Sequence, residues 1–102
     1  MTSPAECTTI DEVRAEIDRL DRQIIQALGE RFQYVKAIVQ FKYSEAEIDA
    51  PARREIVLRQ RRQWAEEVGF PPDAVEEMYH NLITHFVKEE KRDWEKERIE
   101  RG

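Results

Sequence analysis

The sequence predicts an all-α fold, and three observations lead to that prediction. Charged residues make up 38% of the 102 positions and glycine occurs only 3 times, a balance that suits solvent-exposed helices better than sheet. Apolar residues recur at steps of three, four or seven, which is the spacing of one face of a helix. No proline lies between Pro4 and Pro51, and a Pro-Pro pair at 71–72 later breaks the chain. We expect a single domain over residues 1–102, built from three helices.

The first helix is predicted to run from about Ile10 to about Lys42. Thr9 is suited to the N-cap position, and Glu12 three residues later can complete a capping box. Gly29 is the one weak point in this stretch. The apolar stripe consists of Ile10, Val13, Ile17, Leu20, Ile24, Leu28, Val35 and Ile38.

Two further helices are predicted after a loop at 43–49. Asp49 can cap the second helix, Pro51 is tolerated in its first turn, and Gly69 ends it. The apolar spacing of the second helix comes from Val57, Arg61, Trp64 and Val68. The third helix follows the double proline, and its apolar face comprises Val75, Met78, Tyr79, Leu82, Ile83, Phe86, Val87 and Trp94.

The length of the first helix predicts an oligomer. A helix of about 33 residues is ~50 Å long, whereas a compact domain of about 100 residues has a radius of gyration of only ~13 Å. The helix must therefore extend beyond a three-helix monomer and leave its apolar stripe in water. We expect an intertwined homodimer, in which the first helix of each chain packs along the other.

Two cations lie on the apolar stripe of the first helix. Arg31 and Lys42 are eleven residues apart, so they point within about 20° of each other. A charge on a core-facing stripe is costly unless it is paired or reaches water. Two charges of the same sign there indicate an anion-binding site.

Three more charged residues can join this site. Arg14 lies roughly 25 Å before Arg31 along the helix, so only an antiparallel dimer can bring Arg14 of one chain to Arg31 of the other. Arg53 opens the second helix. Glu90 lies on the apolar face of the third helix, about 20° from Ile83. Together these residues provide cations and one carboxyl group, without a set of metal ligands.

Each of these residues also has a structural interpretation. Arg31 can form a buried ion pair with Asp21 or Glu90, and Glu90 can be half of a structural salt bridge. Lys42 can extend its ammonium to water from a helix end.

The remaining two arginines are open to the same interpretation. Arg14 can pair with Asp18 on the helix surface, four residues on. Arg53 can pair with Asp49 or Glu55. The combination, rather than any single residue, favours a binding site.

Charge and cysteine content exclude several classes of function. The net charge of −5 argues against nucleic acid or an anionic membrane as a partner. Cys7 is the only cysteine, so neither an intrachain disulfide nor a cysteine-based zinc site is expected. No apolar run approaches the ~20 residues that span a membrane, and the N-terminus lacks the pattern of a signal peptide. We expect a cytoplasmic protein.

The chain resembles the all-α chorismate mutase family, and most closely its salicylate-forming branch, the isochorismate–pyruvate lyases of siderophore pathways. The spacing of the five charged residues resembles that of the family's site. The densest similarity lies in CT-x-I-x-x-VR-x-EIDRLD-x-x-IIQALGERF-x-YVKA (Cys7 to Ala37), FK-x-SEA-x-I-x-AP-x-R (Phe41 to Arg53) and R-x-WAEE-x-G (Arg62 to Gly69).

The resemblance implies an intertwined dimer with two equivalent sites, each built from both chains. Arg31 and the other chain's Arg14 match carboxylate-binding arginines, and Lys42 matches a lysine that contacts the ether oxygen and a carboxylate. Arg53 matches a supporting arginine. The apolar walls match Ile38, Val57, Phe86 and Val87.

The implied reaction is a pericyclic elimination that uses no cofactor. The ether C–O bond of isochorismate breaks while a ring hydrogen moves to the enolpyruvyl methylene, which leaves salicylate and pyruvate. Such a step requires a folded, oriented substrate and a cation or donor at the ether oxygen.

One residue departs from the pattern of the lyase branch. The well-known lyases and many bacterial mutases carry glutamine at the position of Glu90, whereas some mutases carry glutamate. Glutamate donates a hydrogen bond only when it is protonated. The expectation from the sequence is that burial and bound substrate raise the pKa of Glu90, so that activity favours mildly acidic pH.

Two alternatives remain open from the sequence. The first is a chorismate mutase that converts chorismate to prephenate, an activity also expected as a weak side reaction of a lyase. The second is a noncatalytic helical dimerisation module.

Overall fold

The computed structural model describes residues 2–41, 47 and 50–101, and most of these residues are helical. Helix α1 spans Ile10–Ile38, α2 spans Pro51–Glu67 and α3 spans Pro72–Arg101. Short 3₁₀ turns occupy Pro4–Glu6 and Val39–Phe41. No strand occurs in these ranges. The predicted all-α fold with three helices is confirmed.

Two compact units make up the chain, residues 1–35 and 36–102. The division falls within α1, so that the last turn of this helix belongs to the second unit together with α2 and α3. The single domain expected from the chain length stays a prediction.

The start of α1 is capped by the predicted residue. The backbone N–H of Glu12 donates to Oγ1 of Thr9 at 3.1 Å, as an N-cap hydrogen bond requires. The Glu12 carboxylate accepts the backbone N–H of Thr8 at 2.8 Å, one residue before the partner that a capping box predicts. An N-cap of this kind contributes about 1 kcal/mol to stability.

The N-terminal arm of the first unit is attached to α1 through Glu16. The backbone N–H of Thr2 donates to Oε1 of Glu16 at 3.3 Å. Nε of Arg19, one turn further along, donates to Oε2 of the same carboxylate at 2.8 Å. The hydrogen bond from Arg19, followed by that from Thr2, lowers the pKa of Glu16.

Helix α1 ends earlier than the sequence suggests. The expectation of an α-helix as far as Lys42 is wrong at 39–41, where the backbone tightens into a 3₁₀ turn. This turn packs against α3 and leaves Val39 only 6% exposed. Lys42 itself lies outside the described residues.

The segment before α2 is described only in part. Of the predicted loop 43–49, Glu47 is the residue that the structure describes, and it is helical, so the loop prediction is wrong there. Asp49, the predicted cap, lies outside the described residues. Ala50 occupies the N-cap position of α2 with φ of 36° and without a side-chain cap, and Pro51 begins the helix as predicted.

Gly69 ends α2 as predicted, through a Schellman motif. Its φ of +74° is left-handed, which a residue without Cβ adopts at little cost. The N–H of Phe70 donates to the carbonyl of Ala65 at 2.9 Å, and that of Gly69 donates to Glu66 at 3.2 Å. This tight reversal begins α3 at Pro72 and places it antiparallel to α2.

Helices α2 and α3 pack along their length, and the packed face of α2 differs from the predicted one. The side-chain contacts are Arg54 with Thr84, Arg61 over the ring of Tyr79, and Arg62 with both Asp73 and Glu76. Val57 and Ala65 of α2 are buried, whereas Trp64 and Val68 are 48% and 79% exposed. Val57 and Arg61 were predicted correctly for this face, but Trp64 and Val68 were not.

The apolar stripe of α1 is exposed in the single chain. No residue of this helix is buried, and Ile10, Ile17 and Ile24 each expose half of their surface or more. The described helices include none that is long and apolar enough to cross a membrane.

Candidate active site

The two arginines predicted on α1 lie in the first unit. Arg14 is exposed, and Arg31 is half-buried and engaged in an interaction. Seventeen residues of straight helix separate them, roughly 25 Å, so they cannot hold one small molecule from the same chain.

The second unit carries the other described candidates. At the end of α1, Ile38 is 45% exposed. On α2, Arg53 is exposed, whereas Val57 is buried with 7% of its surface accessible. On α3, the half-buried candidates are Phe86, Val87 and Glu90. The predicted lysine, Lys42, is outside the described residues.

The candidates on α3 share one face of that helix. Val87 and Phe86 lie three and four residues before Glu90, the two spacings that put helical side chains beside each other. The ring of Phe86 also meets the edge of the His85 ring, with centroids 5.1 Å apart and an interplanar angle of 79°. The carboxyl group of Glu90 is therefore bordered by apolar side chains on its own helix.

Antiparallel packing brings Arg53 and Glu90 to the same end of the α2–α3 pair. Arg54 contacts Thr84 across the interface, and Arg53 is its neighbour near the start of α2. Glu90 lies six residues beyond Thr84 on α3, about 9 Å further in the direction of that same end. A cation and a carboxyl group therefore lie toward the same end of the α2–α3 pair.

The structure adds a residue that the sequence did not indicate as functional. Arg54, rather than the exposed Arg53, faces α3 and is half-buried. Its Nε is buried and has no hydrogen-bond partner among the described residues. The spacing of Arg54 in the sequence could have indicated this orientation. Arg54 lies three residues before Val57 and seven before Arg61, on the stripe that packs against α3.

A cleft in this unit has the wrong charge for a dianion. It has a volume of about 260 Å³ and lies between the end of α1 and the last turns of α3. Its lining consists of Lys36, Val39, Asp93, Lys96, Glu97 and Glu100. Three carboxylates face two ammonium groups there, so the cleft repels a dicarboxylate more than it attracts one.

Metal binding finds no support in the described part of the chain. No three side chains of histidine, cysteine, aspartate or glutamate are arranged there to hold a metal ion. The candidate residues combine cations, one carboxyl group and apolar walls, which suit the binding and orientation of an organic anion.

Residues 13–91 match the family model described as chorismate mutase type II. The chain belongs to the chorismate mutase type II family. The matched range contains all nine candidate residues, from Arg14 to Glu90. The family assignment made from the sequence is thereby confirmed.

Two curated relatives refine the comparison. The chain is 42% identical over 98 residues to an isochorismate pyruvate lyase of Pseudomonas aeruginosa, and the alignment covers 96% of this chain and 97% of that protein. The chain is also 32% identical over 75 residues to the T-protein of Haemophilus influenzae. That alignment covers 72% of this chain but only 20% of the T-protein. The lyase is thus matched over nearly its whole length, and the T-protein over one fifth of its length.

Proposed function

We propose that the protein is an isochorismate–pyruvate lyase, which cleaves isochorismate to salicylate and pyruvate. The observation that carries the proposal is the 42% identity to the Pseudomonas lyase along nearly the full length of both chains. The mixture of cations and apolar walls at the candidate site supports it, because isochorismate is a ring with two carboxylates.

The active unit that we propose is a homodimer with two sites. In each site Arg31 of one chain and the partner subunit's Arg14 bind the carboxylates of the substrate. This arrangement is supported by the distance between the two arginines along α1. That distance is roughly 25 Å, which is more than one small substrate can span. The exposed apolar stripe of α1 also supports it, because a stripe of this length is normally covered by a partner.

Substrate orientation and charge stabilisation account for the chemistry in this proposal. Two arginine–carboxylate pairs hold the enolpyruvyl group folded over the ring, with the ring hydrogen directed at its methylene carbon. As the ether C–O bond breaks, negative charge develops on the oxygen, where the ammonium of Lys42 and a protonated Glu90 donate hydrogen bonds. Ile38, Val57, Phe86 and Val87 form the apolar walls. No nucleophile takes part in such a step.

Chorismate mutase is the second candidate function. The match to the chorismate mutase type II family favours this activity. Glu90 also favours it, because the resemblance implies glutamate at the position of Glu90 in some mutases and glutamine in the lyases. Under either activity the substrate is a small dicarboxylate. We further propose a cytoplasmic enzyme of salicylate or siderophore biosynthesis.

The deciding experiment offers isochorismate and chorismate separately to the purified protein. Salicylate is followed by fluorescence, and chorismate loss and prephenate by absorbance and chromatography. Salicylate from isochorismate is the expected result. Prephenate from chorismate without any salicylate would replace the lyase with the mutase, and no reaction with either would favour the noncatalytic module.

Lys42→Ala tests the role proposed for the lysine. Loss of a preorganised donor to the developing charge should lower kcat for salicylate formation by at least about 100-fold. The matched control is Lys96→Ala, an exposed lysine that should keep normal activity. Equal kcat values for the two variants would remove Lys42 from the mechanism.

A further inference from the structure

Arg54 lies in the first turn of α2, on the face that packs against α3. Its Nη2 donates to Oγ1 of Thr84 at 3.5 Å, a distance at which a hydrogen bond is weak. Its Nε is buried and makes no hydrogen bond to any residue that the structure describes. The guanidinium therefore uses little of its capacity to donate.

This arrangement is unfavourable if Arg54 serves only to pack the two helices. A guanidinium carries a permanent charge and five N–H donors, and a buried donor without an acceptor costs free energy. An apolar side chain of similar length would fill the same space without that cost. The part of the chain that is described supplies one hydroxyl to Arg54 and no carboxylate.

The surroundings of Arg54 are those of the candidate site. Val57, a wall position, lies one turn later on α2. Thr84, its partner across the interface, lies two residues before Phe86 and three before Val87 on α3. Arg53 is rotated about 100° away from Arg54 on the helix and is exposed.

We propose that Arg54 is a further substrate-binding residue, whose guanidinium pairs with a carboxylate of the dicarboxylate substrate. The proposal rests on the proposed function, because it takes the substrate from there. A carboxylate accepts two parallel hydrogen bonds from an arginine fork, which supplies the missing acceptor for the buried donor.

The test compares Arg54→Met with Arg59→Met in the full-length protein. Methionine keeps most of the apolar stem of Arg54 and removes its charge, and Arg59 is an exposed arginine on the same helix. We expect Arg54→Met to raise KM for isochorismate by about 10- to 100-fold, as befits a hydrogen bond between charged groups. Arg59→Met should stay within about twofold of the unmodified protein.

Thermal unfolding separates this role from a structural one. A binding residue that is poorly paired in the protein itself should leave Tm unchanged or higher in Arg54→Met, while KM rises. If Arg54→Met lowers Tm, Arg54→Gln serves as the second variant, because it can still hydrogen-bond to Thr84, and the same rise in KM is expected. An active protein in which KM is the same for the Arg54 and Arg59 variants would overturn the proposal.

Failure of the proposed function gives a different result. If the unmodified protein forms no salicylate, the lyase assignment fails, and the affinity for chorismate is then measured by calorimetry in the same variants. Weaker binding of chorismate by Arg54→Met than by Arg59→Met would support the role of Arg54. Equal or undetectable binding by both the unmodified protein and the variants would overturn it.

Discussion

Glu90 is the residue at which the proposed mechanism depends most on protonation. It is half-buried on α3, beside Phe86 and Val87. A neutral carboxyl group can donate a hydrogen bond to the ether oxygen, whereas a carboxylate can only accept one and would repel the substrate. The amide of glutamine donates in the same place at any pH.

Replacing Glu90 by glutamine should therefore change the pH profile. We expect kcat/KM of the unmodified enzyme to fall as the pH rises from mildly acidic to neutral, and Glu90→Gln to hold its rate over that range. The measurement is salicylate formation between about pH 5 and pH 8. The control is Glu95→Gln, an exposed glutamate on the same helix. Identical profiles for the unmodified enzyme and Glu90→Gln would mean that Glu90 does not act as an acid.

At the scale of single elements, Arg62 and Glu16 each bind two partners and so connect neighbouring segments of the chain. Arg62 of α2 donates to Asp73 and Glu76 in the first turns of α3, at 2.7 Å each. The hydrogen bond to Asp73 and, less strongly, that to Glu76 raise the pKa of Arg62. Glu16 connects the N-terminal arm to α1. Here a carboxylate accepts the hydrogen bonds, and these bonds lower its pKa.

The attachment of the N-terminal arm should be lost in acid. Because the pKa of Glu16 in the folded chain lies below its usual value of 4.5, its contribution to stability is complete above that pH and disappears as the pH falls through the folded-state value. Glu16→Gln should lower Tm slightly at neutral pH, and this difference in Tm should shrink in acid, once the carboxyl group of Glu16 is protonated in the folded chain. Thermal unfolding followed by circular dichroism at neutral and at acidic pH provides the measurement. A difference in Tm that persists unchanged in acid would contradict this role.

At the scale of the whole molecule, the long first helix carries the apolar surface on which the proposed assembly depends. α1 has 29 residues and none of them is buried, while its apolar positions follow the stripe expected from the sequence. A second copy of the chain is the partner that we propose for this surface, since a two-fold dimer lets the same stripe cover itself. The same symmetry would bring Arg14 of each chain toward the other chain's Arg31.

Mixed dimers can test whether each site uses both chains. Arg14→Ala and Lys42→Ala should each be nearly inactive alone. When the two variants are mixed in equal amounts, unfolded and refolded, half of the dimers should contain one chain of each variant. One of the two sites in such a mixed dimer has both Arg14 and Lys42, so about a quarter of the normal activity should return. Activity that stays at the level of the separate variants would argue against sites shared between chains. Sedimentation of the refolded mixture confirms that dimers have formed.

The sequence by itself determined the helices and the family. Helix ends depend on local chemistry, which is why Thr9 and Gly69 could be identified from their neighbours alone. The arginine spacing and the segments around it pointed to the chorismate mutase family, which the match over residues 13–91 bears out. The dimer and the roles of the site residues stay predictions.

The tertiary structure decided which side of each helix is used. Adjacent residues on a helix point about 100° apart, so the direction of packing selects Arg54 over Arg53 for the interface with α3. The same packing leaves Trp64 exposed, although its apolar character and spacing had placed it on the buried stripe. Sequence periodicity specifies a helix and its apolar residues, but the neighbouring element determines which of them lose contact with water.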